Sequence, residues 1–130
     1  MATLTPTIKL ISAAGQATSD ALSFSLSKDL TVVAPSVGLS KITVTTTASD
    51  SIIVPSLDAR RYLFLHHTGV DSSGSDVTSE VYVETELGRI SKLNVDEFLF
   101  MPLDANGAQK VQVRSTTGTI VVEYAYWTKG

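Results

Sequence analysis

The sequence predicts an all-β protein: a single antiparallel β-sandwich, jelly-roll-like, with about nine or ten short strands. Three observations carry this. Apolar and polar residues alternate with period two through most of the chain. Clusters of Gly, Pro, Asn, Asp and Ser recur at short, even intervals, as in sandwiches and barrels. No apolar stripe at helical spacing is sustained, and no repeat of about 20–50 residues signals a solenoid or propeller.

Each element follows from its residues. Ile8, Leu10 and Ser12 alternate with Lys9 and Ile11, a short first strand. The polar segment before it, residues 1–7 with Pro6, reads as a candidate flexible arm on an otherwise single domain spanning 1–130. Ser12–Asp20 reads as a loop, with one helical turn capped by Ser19 or Asp20 as an option. Leu22, Phe24 and Leu26 then alternate with serines, and Leu30–Val33 continues after Lys28-Asp29. That dipeptide fits either a turn or a bulge, since neither residue favours the positive φ of a tight hairpin. Pro35–Gly38 reads as a turn.

Leu39–Thr47 has the cleanest alternation, Ile42 and Val44 against Lys41, Thr43 and Thr45. Ala48–Ser51 turns the chain into Ile52–Val54, which Pro55 ends. Arg60–His67 is apolar on both faces through Tyr62, Leu63, Phe64 and Leu65, the mark of a central strand covered on two sides. Thr68–Asp76 is the most flexible loop by composition. Glu80–Glu86 reads as half-exposed, with Val81, Val83 and Thr85 opposite Tyr82, Glu84 and Glu86. Gly88 and Arg89–Val95 lead into Phe98–Pro102, again apolar on both faces. Asn106-Gly107 is a strong hairpin signal. Gln109–Ser115 and Thr119–Lys129, joined by Thr116–Gly118, read as a final hairpin.

Composition narrows the function classes. Hydrophobic residues make up 43% of the 130 positions, enough for a packed core. Charged residues are only 18%, and Ser and Thr fill about a quarter of the chain. Hydroxyls are far cheaper to bury than ions, so such a surface suits packing against other subunits. With a net charge of -3 and Arg60-Arg61 as the sole adjacent basic pair, nucleic-acid binding lacks its cation cluster. The absence of cysteine removes disulfides, thiolate catalysis and Cys-ligated zinc. The opening residues carry neither the basic nor the apolar region of a signal peptide, and the apolar runs are too short to span a bilayer. The expectation is a protein made in the cytoplasm with no membrane partner.

Candidate chemistry is sparse. His66 and His67 are adjacent on a strand and so face opposite sides, which prevents joint metal ligation; a strand-end histidine bound to backbone is the simpler reading. Asp71–Asp76 superficially suggests calcium but lacks the ligand order of an EF-hand, so its Asp and Ser residues are expected to bond their own backbone. Glu84 and Glu86 share a strand face at a spacing that imitates a glycosidase pair, yet nothing nearby would raise one carboxyl pKa. No nucleophile elbow, phosphate loop or His-Glu-x-x-His motif occurs. The expectation is no catalytic residue, no metal and no cofactor.

Aromatic residues are the better candidates. Tyr124 and Tyr126 share a face with Ile120 and Val122, while Trp127 lies opposite with Val121, Glu123 and Ala125. One face is core; the other presents an interface anchor or a platform for stacking sugars. Phe98 and Phe100 join Tyr124, Tyr126 and Trp127 as core or interface anchors.

Several segments resemble small all-β virion proteins of tailed bacteriophages. They are Arg61-Tyr-Leu-Phe-Leu-His-His-Thr-Gly69, Val81-Tyr-Val-Glu-Thr85, Gly88–Leu103, Val111-Gln-Val-Arg-Ser115 and the closing Gly118–Thr128. The resemblance covers roughly residues 60–128. It implies a non-enzymatic virion structural protein of the capsid decoration (cement) type, stabilising the head by bridging capsid subunits. The implied partners are further copies of itself, as a homo-oligomer such as a trimer, and the major capsid protein. The resemblance also admits a head-fibre or tail-associated β-domain. A carbohydrate-binding module using Trp127 or the tyrosines is the third reading.

Overall fold

The computed structural model describes residues 1–33, 37–55, 59–104 and 109–130. Among the described residues the regular structure is β apart from one 3-10 turn at Ala48–Asp50. There are twelve strands: β1 (Ala2–Leu4), β2 (Thr7–Ser12), β3 (Leu22–Ser27), β4 (Leu30–Val32), β5 (Val37–Val44), β6 (Ile52–Val54), β7 (Arg61–His67), β8 (Val81–Thr85), β9 (Gly88–Leu93), β10 (Phe98–Leu103), β11 (Val111–Ser115) and β12 (Ile120–Thr128). This exceeds the nine or ten expected, because β1 is too short to show alternation and β9 mixes Gly, Arg, Ser and Lys. Within the expected turn at Pro35–Gly38, Pro35 and Ser36 lie outside the described residues, and β5 already includes Val37 and Gly38.

Among the described residues all strand ladders are antiparallel. One four-stranded sheet runs β10-β7-β12-β5 and the other β6-β11-β8-β9. Period-two alternation sends Val44, Leu63, Leu65, Ile120 and Val122 from the first sheet, and Val54, Val81, Val83, Val111 and Val113 from the second, into one fully buried cluster. Ile42, Leu99, Met101, Tyr124 and Tyr126 pack against it. The sequence placed β7 centrally and covered on both faces; it does lie between β10 and β12, but only its inner face is buried, Tyr62, Phe64 and His66 being half-buried.

Two hairpin expectations are corrected. β11 pairs with β6 and β8, whereas β12 pairs with β5 and β7, so Thr116–Gly118 carries the chain between sheets instead of closing a hairpin. Each strand has a buried apolar pair, Val111/Val113 in β11 and Ile120/Val122 in β12, and placing them in opposite sheets lets both pairs enter the same core. Gly118 adopts φ 63 there, and the Ser115 hydroxyl donates to its carbonyl. Asn106-Gly107 lies outside the described residues, but the flanking β10 and β11 also belong to different sheets. Local turn chemistry does not decide sheet membership; burial does.

The N-terminal region forms a long β-ribbon. Ala2↔Val32, Leu4↔Leu30, Thr7↔Ser27 and Ser12↔Leu22 all fall on a single register, broken only where Thr5-Pro6 faces Lys28-Asp29. Pro6 has no N–H to give to the ladder. Its carbonyl still accepts the Lys28 N–H at 3.3 Å, and the Thr5 hydroxyl donates to Asp29 Oδ1 at 2.8 Å. Lys28-Asp29 is therefore an interruption of a ribbon, and residues 2–4 of the candidate arm are a paired strand. The ribbon base is tied to the body: Val33 N–H donates to the Thr128 carbonyl and Gly130 N–H to that of Thr31, both at 2.9 Å.

At the far end, Ser12 Oγ accepts the Ala17 N–H at 3.0 Å, and the N–H of Gly15 (φ 75) points to the Thr18 and Ser19 carbonyls. This is a compact turn, so Ser19 and Asp20 cap no helix.

Candidate functional site: the aromatic outer face

The two four-stranded sheets have unlike outer faces. On β7, Leu63, Leu65 and His67 point into the core, so Tyr62, Phe64 and His66 point out. The neighbours in register complete three rows across β10, β7 and β12: Pro102–Tyr62–Trp127, Phe100–Phe64–Ala125 and Phe98–His66–Glu123. The Tyr62 and Phe100 rings stack with centroids 5.9 Å apart and planes at 12°. Lys129 Nζ lies 4.9 Å from the Tyr62 ring centre. Phe98 is 68% exposed. The third row ends in polar contact, His66 Nδ1 lying 3.2 Å from Glu123 Oε1.

This places each aromatic anchor named from the sequence. Tyr124 and Tyr126 pack against the core, whereas Trp127, Phe98 and Phe100 face outward. Phe98–Pro102 reads as apolar on both faces, yet Phe98 and Pro102 are exposed; β10 is also an edge strand, where Pro102 is tolerated. Residues from the start of the ribbon, Leu4 to Leu10, rise beside this face and enclose a groove of about 640 Å³ floored by Phe64, Phe98, Phe100 and Trp127.

The other sheet shows solvent a charge-laced face. Arg114 Nε bonds Glu84 Oε1 at 2.9 Å, and Lys92–Glu80 and Lys110–Glu86 pair at 3.2 and 3.7 Å. Between them Tyr82 is clamped: the guanidinium carbon of Arg89 is 3.5 Å and that of Arg114 4.5 Å from its ring centre. Arg89 reaches this position through an irregularity in the β8–β9 register. Val83 faces Ser91 but Glu84 faces Arg89, leaving Ile90 as the extra residue. The sequence named neither arginine, because the alternation alone puts Arg89 on the opposite face.

The candidate chemical groups occupy structural roles. Glu84 and Glu86 each have a cationic partner and form no isolated carboxylate pair. His67 is fully buried with Nε2 2.9 Å from the Ser79 carbonyl and Nδ1 accepting the Gly69 N–H at 3.0 Å, the backbone-bound histidine expected of a strand end. Asp71 Oδ1 accepts the N–H groups of Ser73 and Ser75 at 2.8 and 3.0 Å, an Asx-type turn. Although flexible by composition, that loop is fastened to the chain before β12, as Ser72 N–H donates to Thr119 Oγ1 at 3.2 Å. The sequence also showed the apolar alternation of β2 and β3 without revealing that both apolar rows share one uncovered ribbon face. The matched alternation of Ile8/Leu10 with Phe24/Leu26 around Gly15 was the available signal.

The arrangement can bind by apolar and aromatic contact, with His66 engaged by Glu123 and Lys129 by the Tyr62 ring. No protein-family model matches the chain, and neither curated proteins nor solved structures yield a significant match.

Proposed function

We propose that this chain is a non-enzymatic structural protein of a virion, a capsid decoration (cement) protein of a tailed bacteriophage. In this reading it is made in the host cytoplasm and folds as a β-sandwich from its two four-stranded sheets. The supporting observation is the contrast between the outer faces: one is sealed by ion pairs, the other offers aromatic side chains beside a charge-poor ribbon. A face of that kind serves protein–protein association, where aromatic anchors supply most of the binding energy. In this reading the protein adds buried contact area across the joints between capsid subunits, and mass action then stabilises the shell. The hydroxyl-rich surface suits this, because it can be desolvated against capsid subunits at modest cost.

The test is co-sedimentation of purified protein with undecorated shells assembled from the major capsid protein of the same genome. Retention at micromolar protein, together with a raised shell-disruption temperature, is the expected result. Absence of pelleting would sink the proposal. Label confined to the tail vertex or to fibres in particle images would instead favour a fibre or tail-associated domain.

A carbohydrate-binding module draws support from one feature, the aromatic groove, whose volume is typical of small-ligand sites. Binding on a glycan array that disappears in Trp127→Ala would favour it.

A further inference from the structure

The far half of the ribbon leaves an apolar face uncovered. Ile8 and Leu10 of β2 sit directly across from Leu26 and Phe24 of β3. The four are 46, 51, 56 and 46% exposed, in that order. Opposed residues of an antiparallel pair share a face, so they form one patch. Among the described residues, β2 and β3 pack extensively on each other and on no other strand. Ile8 and Leu10 also wall the aromatic groove, so patch and groove are continuous.

Counting Phe98 with these four, the surface offers roughly 500 Å² of apolar area, taking about 200 Å² for a fully exposed large side chain. That lies toward the upper end of what monomers leave exposed, about 300–600 Å². It is also most of the ~800 Å² that each partner buries in a stable interface. The threonines and serines around it supply a polar rim.

We infer that the chain self-associates by docking the β2–β3 ribbon face of one copy into the aromatic groove of another. A second copy is the occupant that the chain itself matches. Every copy carries both a projecting apolar ribbon and an open apolar groove, so an exchange covers two ribbons and two grooves together. Charge permits it: among the described residues Lys9 is the only charged one lining the groove, so two chains of net charge -3 meet through a nearly neutral surface. This rests on reading the aromatic face as a protein–protein surface. It assigns that surface to self-contact and leaves shell contact to the hydroxyl-rich remainder of the molecule.

Light scattering coupled to size exclusion, on purified protein with no shell present, tests it. Wild type should be oligomeric at tens of micromolar. The double change Leu10→Ser with Phe24→Ser, and separately Phe98→Ser, should each weaken association at least tenfold while the far-ultraviolet spectrum stays β. Ile90→Ser, on the other sheet, should leave association unchanged. Should the serine variants fold poorly, two single variants replace them, since the chain has no cysteine of its own. Leu10→Cys protein mixed with size-tagged Phe98→Cys protein should give the disulfide-linked heterodimer on oxidation. A monomeric wild type, an oligomer indifferent to both surface changes, or failure of the mixed pair to cross-link overturns the inference. Shell pelleting is scored separately, so a monomer that still binds shells would defeat self-association and leave the capsid reading standing.

Discussion

Gly69 donates its backbone N–H to the Nδ1 of His67 at 3.0 Å. An N–H can only donate, so Nδ1 accepts and Nε2 carries the hydrogen that goes to the Ser79 carbonyl at 2.9 Å. The fully buried ring thereby pins both ends of the loop between β7 and β8. His67→Ala should cost about 3–4 kcal/mol, because it opens a cavity and strands a donor and an acceptor. His67→Phe, which keeps the volume but not the bonds, should lose about 2 kcal/mol. Urea denaturation with unchanged slope measures both; a loss under ~1 kcal/mol for each would show that the bonds contribute little.

Gly69 itself has two constraints. Its φ is 82, and an added Cβ would meet Val95 Cγ1 at 3.1 Å and Asp96 Oδ1 at 3.2 Å. Gly15 shares the conformation, φ 75, but has open space around it. Gly15→Ala should therefore cost about 1 kcal/mol from backbone strain, and Gly69→Ala at least ~2 kcal/mol. Equal melting shifts for the two would remove the crowding argument.

Core and outer face should respond differently. Leu65 is fully buried between the sheets, so Leu65→Ala should destabilise by about 2–5 kcal/mol. Phe98→Ala, on the outer face, should change the stability of the dilute protein by about 0.5 kcal/mol or less. Comparing denaturation at low protein concentration separates the two residues cleanly.

The Tyr82 clamp makes a third contrast. Tyr82→Ala removes a ring held between Arg89 and Arg114 and should cost about 1–2 kcal/mol. Glu84→Gln breaks only a part-exposed ion pair with Arg114 and should cost less than about 1 kcal/mol, with the difference shrinking in high salt. Repeating the denaturations at low and molar salt checks the sign and the size.

Much of the strand content was legible because alternation reports burial on one side directly. Leu63/Leu65 and Ile120/Val122 each occupy one face of their strand, and both pairs are fully buried. What alternation leaves open is which of two apolar faces is the inner one. β12 carries tyrosines on one side and tryptophan on the other, and only its register against β7 and β5 resolves them. Sheet membership was also hidden: Thr116–Gly118 looks like a hairpin turn locally, yet the choice depends on valines distant in sequence. The placement of Arg89 over Tyr82 turns on one extra residue in β9, which no periodic pattern encodes.

The central place of β12 sets an order of events in folding. β7 and β5 are joined in their sheet only through β12, and both precede it by a long stretch of chain. Their side-by-side arrangement therefore cannot be reached by local zipping. Most of the chain must wait, with β7 and β5 unpaired along these edges, until Ile120–Thr128 arrives to fill the gap. Such non-local closure places folding in the slow, millisecond-to-second regime of β topologies. It also makes the interval before closure the moment when exposed strand edges are most open to mispairing.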